Sequence, residues 1–183
     1  ANELRLTDFD RTAGWAVNTT LNAKLADFAM VSGSMRYMTY GFGSVSSKIS
    51  ERTREETFAY DVTANVNVDK LIPGNHGIKV PMLLSYQSTT INPNYDPANP
   101  DQKLDAALAS FNTQEEKDDY VKLIRDREVR RSMNFTNVRK TKVNPQAKAH
   151  LWDIENLSFS YRYSDNVRQS FTIAESLKKD IGG

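Results

Sequence analysis

Cysteine is absent from all 183 residues. Its absence excludes disulfides, thiol nucleophiles and Cys-ligated zinc, and leaves the redox compartment open. Histidine is scarce: His76 and His150 are the only two, with no spacing that would pair imidazoles on a metal. His76 falls in a turn and reads as a solvated polar residue. Charge of one sign is lacking as well. The 24 Lys and Arg against 23 Asp and Glu leave a net charge of +1, so no bulk field favours nucleic acid or an acidic partner. No stretch approaches the roughly 18 apolar residues of a transmembrane helix. A phosphate loop is missing, because "GFGS" has neither the lysine nor the spacing. The Asn/Asp-rich "NPNYDPANPD" lacks the glycine and terminal glutamate of an EF-hand loop. It reads instead as Asx-turn loop stiffened by three prolines, without regular structure. "SERTREE" and "RDREVRR" are mixed-charge runs of the kind that face solvent. From Ala1 there is no basic n-region and no apolar signal segment. The chain begins and ends in strand-like sequence and reads as a fragment. These absences predict no catalytic residue, no cofactor, no metal and no nucleic-acid partner: not an enzyme.

What the chain does have is period-two alternation. In "FAYDVTANVNVDKLIPGNHGIKVPMLLSY", Phe58, Tyr60, Val62, Ala64, Val66 and Val68 share a phase, and Asp61, Thr63, Asn65, Asn67 and Asp69 hold the other. After a turn, Ile78, Val80, Met82, Leu84 and Tyr86 resume the apolar beat. Strands place successive side chains on opposite faces, so this is a predicted hairpin. Four further strands are predicted: Trp15 to Leu25, Ala29 to Tyr40, a weaker one from Val129 to Lys142, and "NLSFSYRYS". A seventh begins near Phe171. Keeping apolar residues on one face pairs Val68 with Ile78, Val66 with Val80, Ala64 with Met82, Val62 with Leu84 and Tyr60 with Tyr86. The first hairpin pairs Leu25 with Ala29, Ala23 with Val31 and Val17 with Tyr37.

A tight turn around Asp27 joins strands one and two and the turn "LIPGNHG" joins strands three and four, while the opposite ends carry long excursions. One of these, the loop and helical insertion 91–128 within a single 1–183 segment, holds two predicted helices. The first covers Lys103 to Phe111. The second starts at Thr113, where "TQEE" forms a capping box with Glu116. Trp15, Tyr37, Phe58, Tyr60, Tyr86, Tyr161 and Tyr163 are expected at the strand ends away from the short turns. Short turns at one rim, long loops and aromatics at the other, and strands of about ten residues form the layout of a transmembrane β-barrel wall. The predicted fold is mainly β: an antiparallel up-and-down meander forming part of a large barrel, with a helical insertion. The mean hydropathy of −0.60 suits a soluble protein, and equally a large barrel of which half of each strand meets lipid. The rival class is a soluble β-rich binding module that uses the insertion for recognition. A soluble sheet, however, needs a second apolar layer, and the only candidates are two short, charged helices.

The strings "ELRLTDFDRTAGWAVNTTLNAKLADFA", "SERTREETFAYDVTANVNVDKLIP", "GIKVPMLLSYQSTTINPNYDPANPD" and "WDIENLSFSYRYSD" resemble the SprA/Sov family over nearly the whole chain. These are very large outer-membrane proteins of Bacteroidota that form the type IX secretion translocon. The resemblance implies an internal fragment of a giant single-chain β-barrel in the cell outer membrane. That pore passes folded proteins, including gliding-motility adhesins, and has no catalytic residues to carry over. Its implied partners are the remainder of the same barrel chain, outer-membrane lipid, secreted cargo proteins and accessory secretion proteins. The expected lipid-facing residues are Trp15, Val17, Leu21, Val31, Met35, Tyr37, Tyr60, Val62, Val66, Val68, Ile78, Val80, Met82, Leu84, Tyr86, Phe159 and Tyr161. Asn18, Thr20, Asn22, Ser34, Arg36, Asp61, Thr63, Asn65, Asn67, Ser158, Ser160 and Arg162 are expected to line the lumen.

Overall fold

The computed structural model describes residues 12–48, 51–74, 77–142 and 157–183; His76 and His150 lie outside them. One antiparallel sheet dominates. Its strands are β1 (Ala16–Leu25), β2 (Ala29–Met38), β3 (Glu55–Asn67), β4 (Ile78–Lys79), β5 (Pro81–Pro93), β8 (Asp126–Lys140), β9 (Ser158–Ser170) and β10 (Ile173–Gly182). Their order is β1-β2-β3-β5-β8-β9-β10, with β4 attached to β8. Between β5 and β8 lies a separate unit: a two-stranded ribbon of β6 (Tyr95–Asp96) and β7 (Asn99–Lys103), then helices α1 (Leu104–Leu108) and α2 (Gln114–Ile124).

The alternation dictates this sheet, and among the described residues no helix or second sheet forms a layer over it. Among the described residues, no large side chain is fully buried. The buried apolar residues are only Ala29, Ala107, Ile124 and Val129. The first hairpin has the expected register, with Leu25 opposite Ala29 and Val17 opposite Tyr37. A three-residue turn closes it, with Ala26 in the left-handed region at φ 48°.

The second hairpin corrects the expected register. Val62 faces Tyr86, Ala64 faces Leu84, Val66 faces Met82, and Tyr60 faces Ser88, two residues away from the expected pairing. A two-residue slip keeps every side chain on its face, so alternation alone cannot detect it. Local hydrogen bonds decide it. Val68 opens a 3-10 turn (Val68–Leu71) and donates its N–H to the Val80 carbonyl. Asp69 accepts the Val80 N–H at 3.2 Å. Ile78 and Lys79 therefore leave β3 and pair with Lys140 and Arg139 of β8. Val68 and Val80 belong to no strand.

Three further expectations are corrected. The proline-rich "NPNYDPANPD" does form regular structure, because Pro93 only ends β5 opposite Glu55, and Pro97 and Pro100 lie in the short outlying β6–β7 ribbon, where they interrupt no central ladder. The first helix is only the five residues of α1. The rims are mixed. β8 ends at Lys140 and β9 begins at Ser158 on the side of the β1–β2 turn, while Phe171 and Thr172 make a tight turn at the insertion rim. Tyr161 and Tyr163 consequently stand toward the turn rim, opposite Phe135 and Met133. The weaker alternation of the strand from Val129 has a structural cause in a β-bulge at Thr136–Asn137, where Asn137 has φ 56°. Asparagine tolerates that conformation better than most residues.

Candidate functional site: two faces of a single sheet

The pairings assign each strand residue to a face. Val17 and Leu21 of β1, Val31, Met35 and Tyr37 of β2, Tyr60, Val62 and Val66 of β3, Met82, Leu84 and Tyr86 of β5, and Phe159 and Tyr161 of β9 share one face. Trp15 precedes β1 and joins them, its ring 5.0 Å from that of Tyr37. Ile78 lies in β4 beside Lys140. Much of this face is open, with Trp15 54% exposed, Leu21 68% and Phe159 59%, while Ala29, Ser88, Val129 and Asp165 on it are buried.

Aromatic rings continue along the face as a chain. Tyr37 lies 6.3 Å from Phe58, Phe58 5.6 Å from Tyr60, and Tyr60 stacks on Tyr86 at 5.7 Å. Charges that alternation did not bring out lie on the same face. Glu56 accepts a hydrogen bond from the Tyr37 hydroxyl. The Arg131 guanidinium sits 6.0 Å from the Tyr86 ring centre. The pairings add Arg127, Asp165 and Lys179. The signal was present in "DREVRR", where Arg127, Val129 and Arg131 fall in one phase.

The opposite face is polar. It carries Asn18, Thr20 and Asn22, then Ser34 and Arg36, then Asp61, Thr63, Asn65 and Asn67, then Ser158, Ser160 and Arg162. Ser34 donates its hydroxyl to Asp61, and Ser85 shares a hydrogen bond with Ser132 at 2.7 Å. Glu128 accepts from Arg130 at 2.7 Å and from Asn166 at 3.2 Å. Asn137 donates its backbone N–H to Ser160, and Asn67 caps the turn rim through the Asp27 carbonyl. Met30 and Leu83 are apolar exceptions that alternation missed.

The rims carry their own polar locks. In the insertion, Asp96 is buried and accepts the Ala98 N–H and the Tyr120 hydroxyl. Burial and the Asp96 bond push the Tyr120 hydroxyl up to about 12. Tyr120 also packs 5.1 Å from Phe111. Thr113 and Glu116 form the expected capping box. Arg125 donates to Asn92, and Gln169 to the Lys122 carbonyl, tying the insertion to the rim. At the turn rim Lys70 meets Asp27 at 2.6 Å. The Lys70 hydrogen bond holds the Asp27 carboxyl below the usual carboxylate range. Among the described residues, no group of three or more His, Asp or Glu is placed to hold a metal ion.

A single antiparallel sheet, apolar and largely open on one side, polar on the other, with a helical insertion on one rim, defines a two-faced β protein. The SprA N-terminal family, described as "motility related/secretion protein", matches residues 1–108. The chain belongs to the SprA/Sov family and is a secretion- and motility-related protein. No curated protein matches it.

Proposed function

We propose that this chain is a wall segment of a protein-conducting outer-membrane β-barrel, the type IX secretion translocon, which exports folded proteins including gliding adhesins. The observation that carries the reading is the largely open apolar face with no second layer over it, backed by a polar face. In water such a face is costly at about 25 cal/mol per Å², whereas lipid is its natural neighbour. The outer edges of β1 and β10 are unpaired among the described strands. Seven long strands are fewer than the eight of the smallest bacterial barrels. The remaining strands of the same chain would complete the ladder at both edges. Small and polar residues such as Thr20, Ser34, Thr63 and Ser160 give the lumen side little for passing cargo to adhere to.

No chemistry is assigned to the segment. The insertion between Pro93 and Asp126 is the surface offered to accessory secretion proteins. By the convention of bacterial barrels, long loops face outward. A protease site placed at Asn112 is expected to be cut on intact cells; cutting only after outer-membrane lysis would invert the orientation.

The wall reading is tested with Asn65→Cys and Val66→Cys in the whole protein in cells. A membrane-impermeant maleimide is expected to modify Asn65→Cys and spare Val66→Cys. Equal modification of both, with the protein recovered in the soluble fraction, would establish a soluble binding module instead.

A further inference from the structure

The apolar face is divided by its own aromatic chain. Tracing the pairings strand to strand gives hydrogen-bonded rows, one of which runs Leu21, Gly33, Val62, Tyr86, Arg131, Asp165, Lys179. The aromatic chain does not follow a row. From Trp15 the ring contacts pass Tyr37, Phe58 and Tyr60 and end at Tyr86; beyond β8, which has no aromatic ring at this level, the next tyrosine is Tyr163 on β9, which shares the row of Ala23. The chain therefore moves toward the turn rim as it crosses the sheet, from the level of Trp15 to that of Ala23.

That line sorts the charges. Glu56, Arg127, Arg131, Asp165 and Lys179 all lie on its insertion side. On its turn side the face reads Val17, Leu21, Met35, Val62, Leu84, Met133 and their neighbours, and the one charge among the described strand residues there is Lys140, at the far end of β8 opposite Ile78. Leu177 and the buried Val129 are apolar residues on the insertion side.

Resting on the wall reading, we infer that the bilayer meets this sheet along the line Trp15–Tyr37–Tyr60–Tyr86–Tyr163, so that the charged corner of the apolar face stands in the headgroup and water layer. Aromatic rings with a wet hydroxyl prefer that boundary, and unpaired charges avoid hydrocarbon. The slope fits as well. About eight residues over five strand steps is roughly 1.6 residues, or about 5.4 Å, per 4.8 Å of strand spacing. A level line then requires strands leaning by roughly 45–50°, close to the lean of membrane barrels.

The hand agrees too. Trp15, on the apolar face, accepts the Thr39 N–H, so odd residues of β1 bond toward β2. For L-residues this puts β2 to the right of β1, seen from the apolar side with the turn rim uppermost. Right-handed strand twist leans the strands of a closed sheet rightward from outside, and its hydrogen-bonded rows fall to the right. A level line must then climb toward the turn rim, as this one does.

Leu21 and Lys179 decide the matter, because they share a row and are both exposed. Nitroxide labels at Leu21→Cys, Lys179→Cys and Val66→Cys are placed one at a time in the whole protein, in phosphatidylethanolamine–phosphatidylglycerol liposomes. Accessibility is read with oxygen against a water-soluble nickel chelate. The oxygen-to-nickel ratio is expected to be several-fold higher at Leu21 than at Lys179, and high at Val66, which lies on the turn side of the line. A high ratio at Val66 with equal ratios at Leu21 and Lys179 would overturn the oblique boundary and leave the wall reading standing. Nickel-dominated ratios at all three sites would overturn both.

Discussion

Tyr120 donates its hydroxyl to Oδ1 of Asp96 at 2.5 Å, joining α2 to the β6–β7 ribbon across the insertion. Asp96 is buried, so this bond supports a carboxylate that water scarcely reaches. Tyr120→Phe leaves Asp96 with the Ala98 N–H alone. The insertion is expected to lose about 1.5–3 kcal/mol of local stability, the usual worth of a hydrogen bond to a charged group. Hydrogen exchange of α2 reads the loss; unchanged protection would show that the bond holds nothing in place. The pH dependence has a definite sign. The Tyr120 pKa is raised in the folded chain to about 12, so its contribution is complete below about 10, the ordinary tyrosine value. That contribution fades as pH rises from there through 12. Tyr120→Phe is expected to lack this alkaline step, which exchange measured from pH 9 upward would show.

Neighbouring residues on opposite faces should respond oppositely to charge. Val66 lies on the apolar face opposite Met82, and Asn65 lies on the polar face opposite Leu83. Val66→Arg is expected to cost about 2–4 kcal/mol near the bilayer midplane, and Asn65→Arg close to nothing. Folding titrations in lipid vesicles compare them. Equal costs would mean that both faces are buried against protein.

The capping box makes α2 sensitive at one residue. Thr113 accepts the Glu116 N–H, and Glu116 returns a carboxylate to the Thr113 N–H. Thr113→Ala is expected to cost about 1 kcal/mol of helix stability. The first-turn amides of α2 should exchange faster, while those of β5 and β8 stay unchanged.

At the turn rim, Lys70 lowers the pKa of Asp27. A lowered carboxylate contributes stability above its unfolded pKa and loses it as pH falls through the folded one. Lys70→Met is expected to move the Asp27 midpoint up toward the ordinary carboxylate range, which carbon-detected NMR of the Asp27 carboxyl follows. A midpoint that stays put would assign the shift to the turn's own amides. The pair is largely exposed, so little change in overall stability is expected.

The alternation made the faces legible and left the registers half open. Val62 and Tyr60 differ from their predicted partners by two residues because a slip of one whole repeat leaves the alternation unchanged. The deciding bonds, from Val68 to Val80 and from Val80 to Asp69, are local polar contacts with no apolar signature. The capping box was readable because its two residues sit at a fixed spacing. The Asp96–Tyr120 bond was not, because its partners lie 24 positions apart and carry no motif. Arg131 belongs to a run of charge that reads as solvated surface, and Asp165 carries no motif. Only the pairings put Arg131 beside Tyr86, and Asp165 beside Arg131, on the apolar side.

The strand order has a consequence for how such a wall is assembled. Every long strand among the described residues bonds to the long strand that follows it in the chain, and only the two-residue β4 waits for a distant segment, the end of β8. Each new hairpin can therefore be laid against a ladder edge that already exists, at little loop-closure cost. Until the next strand arrives, that edge is a row of open backbone donors and acceptors, ready to pair with any extended chain. A sheet built this way favours delivery strand by strand at the membrane over release into water.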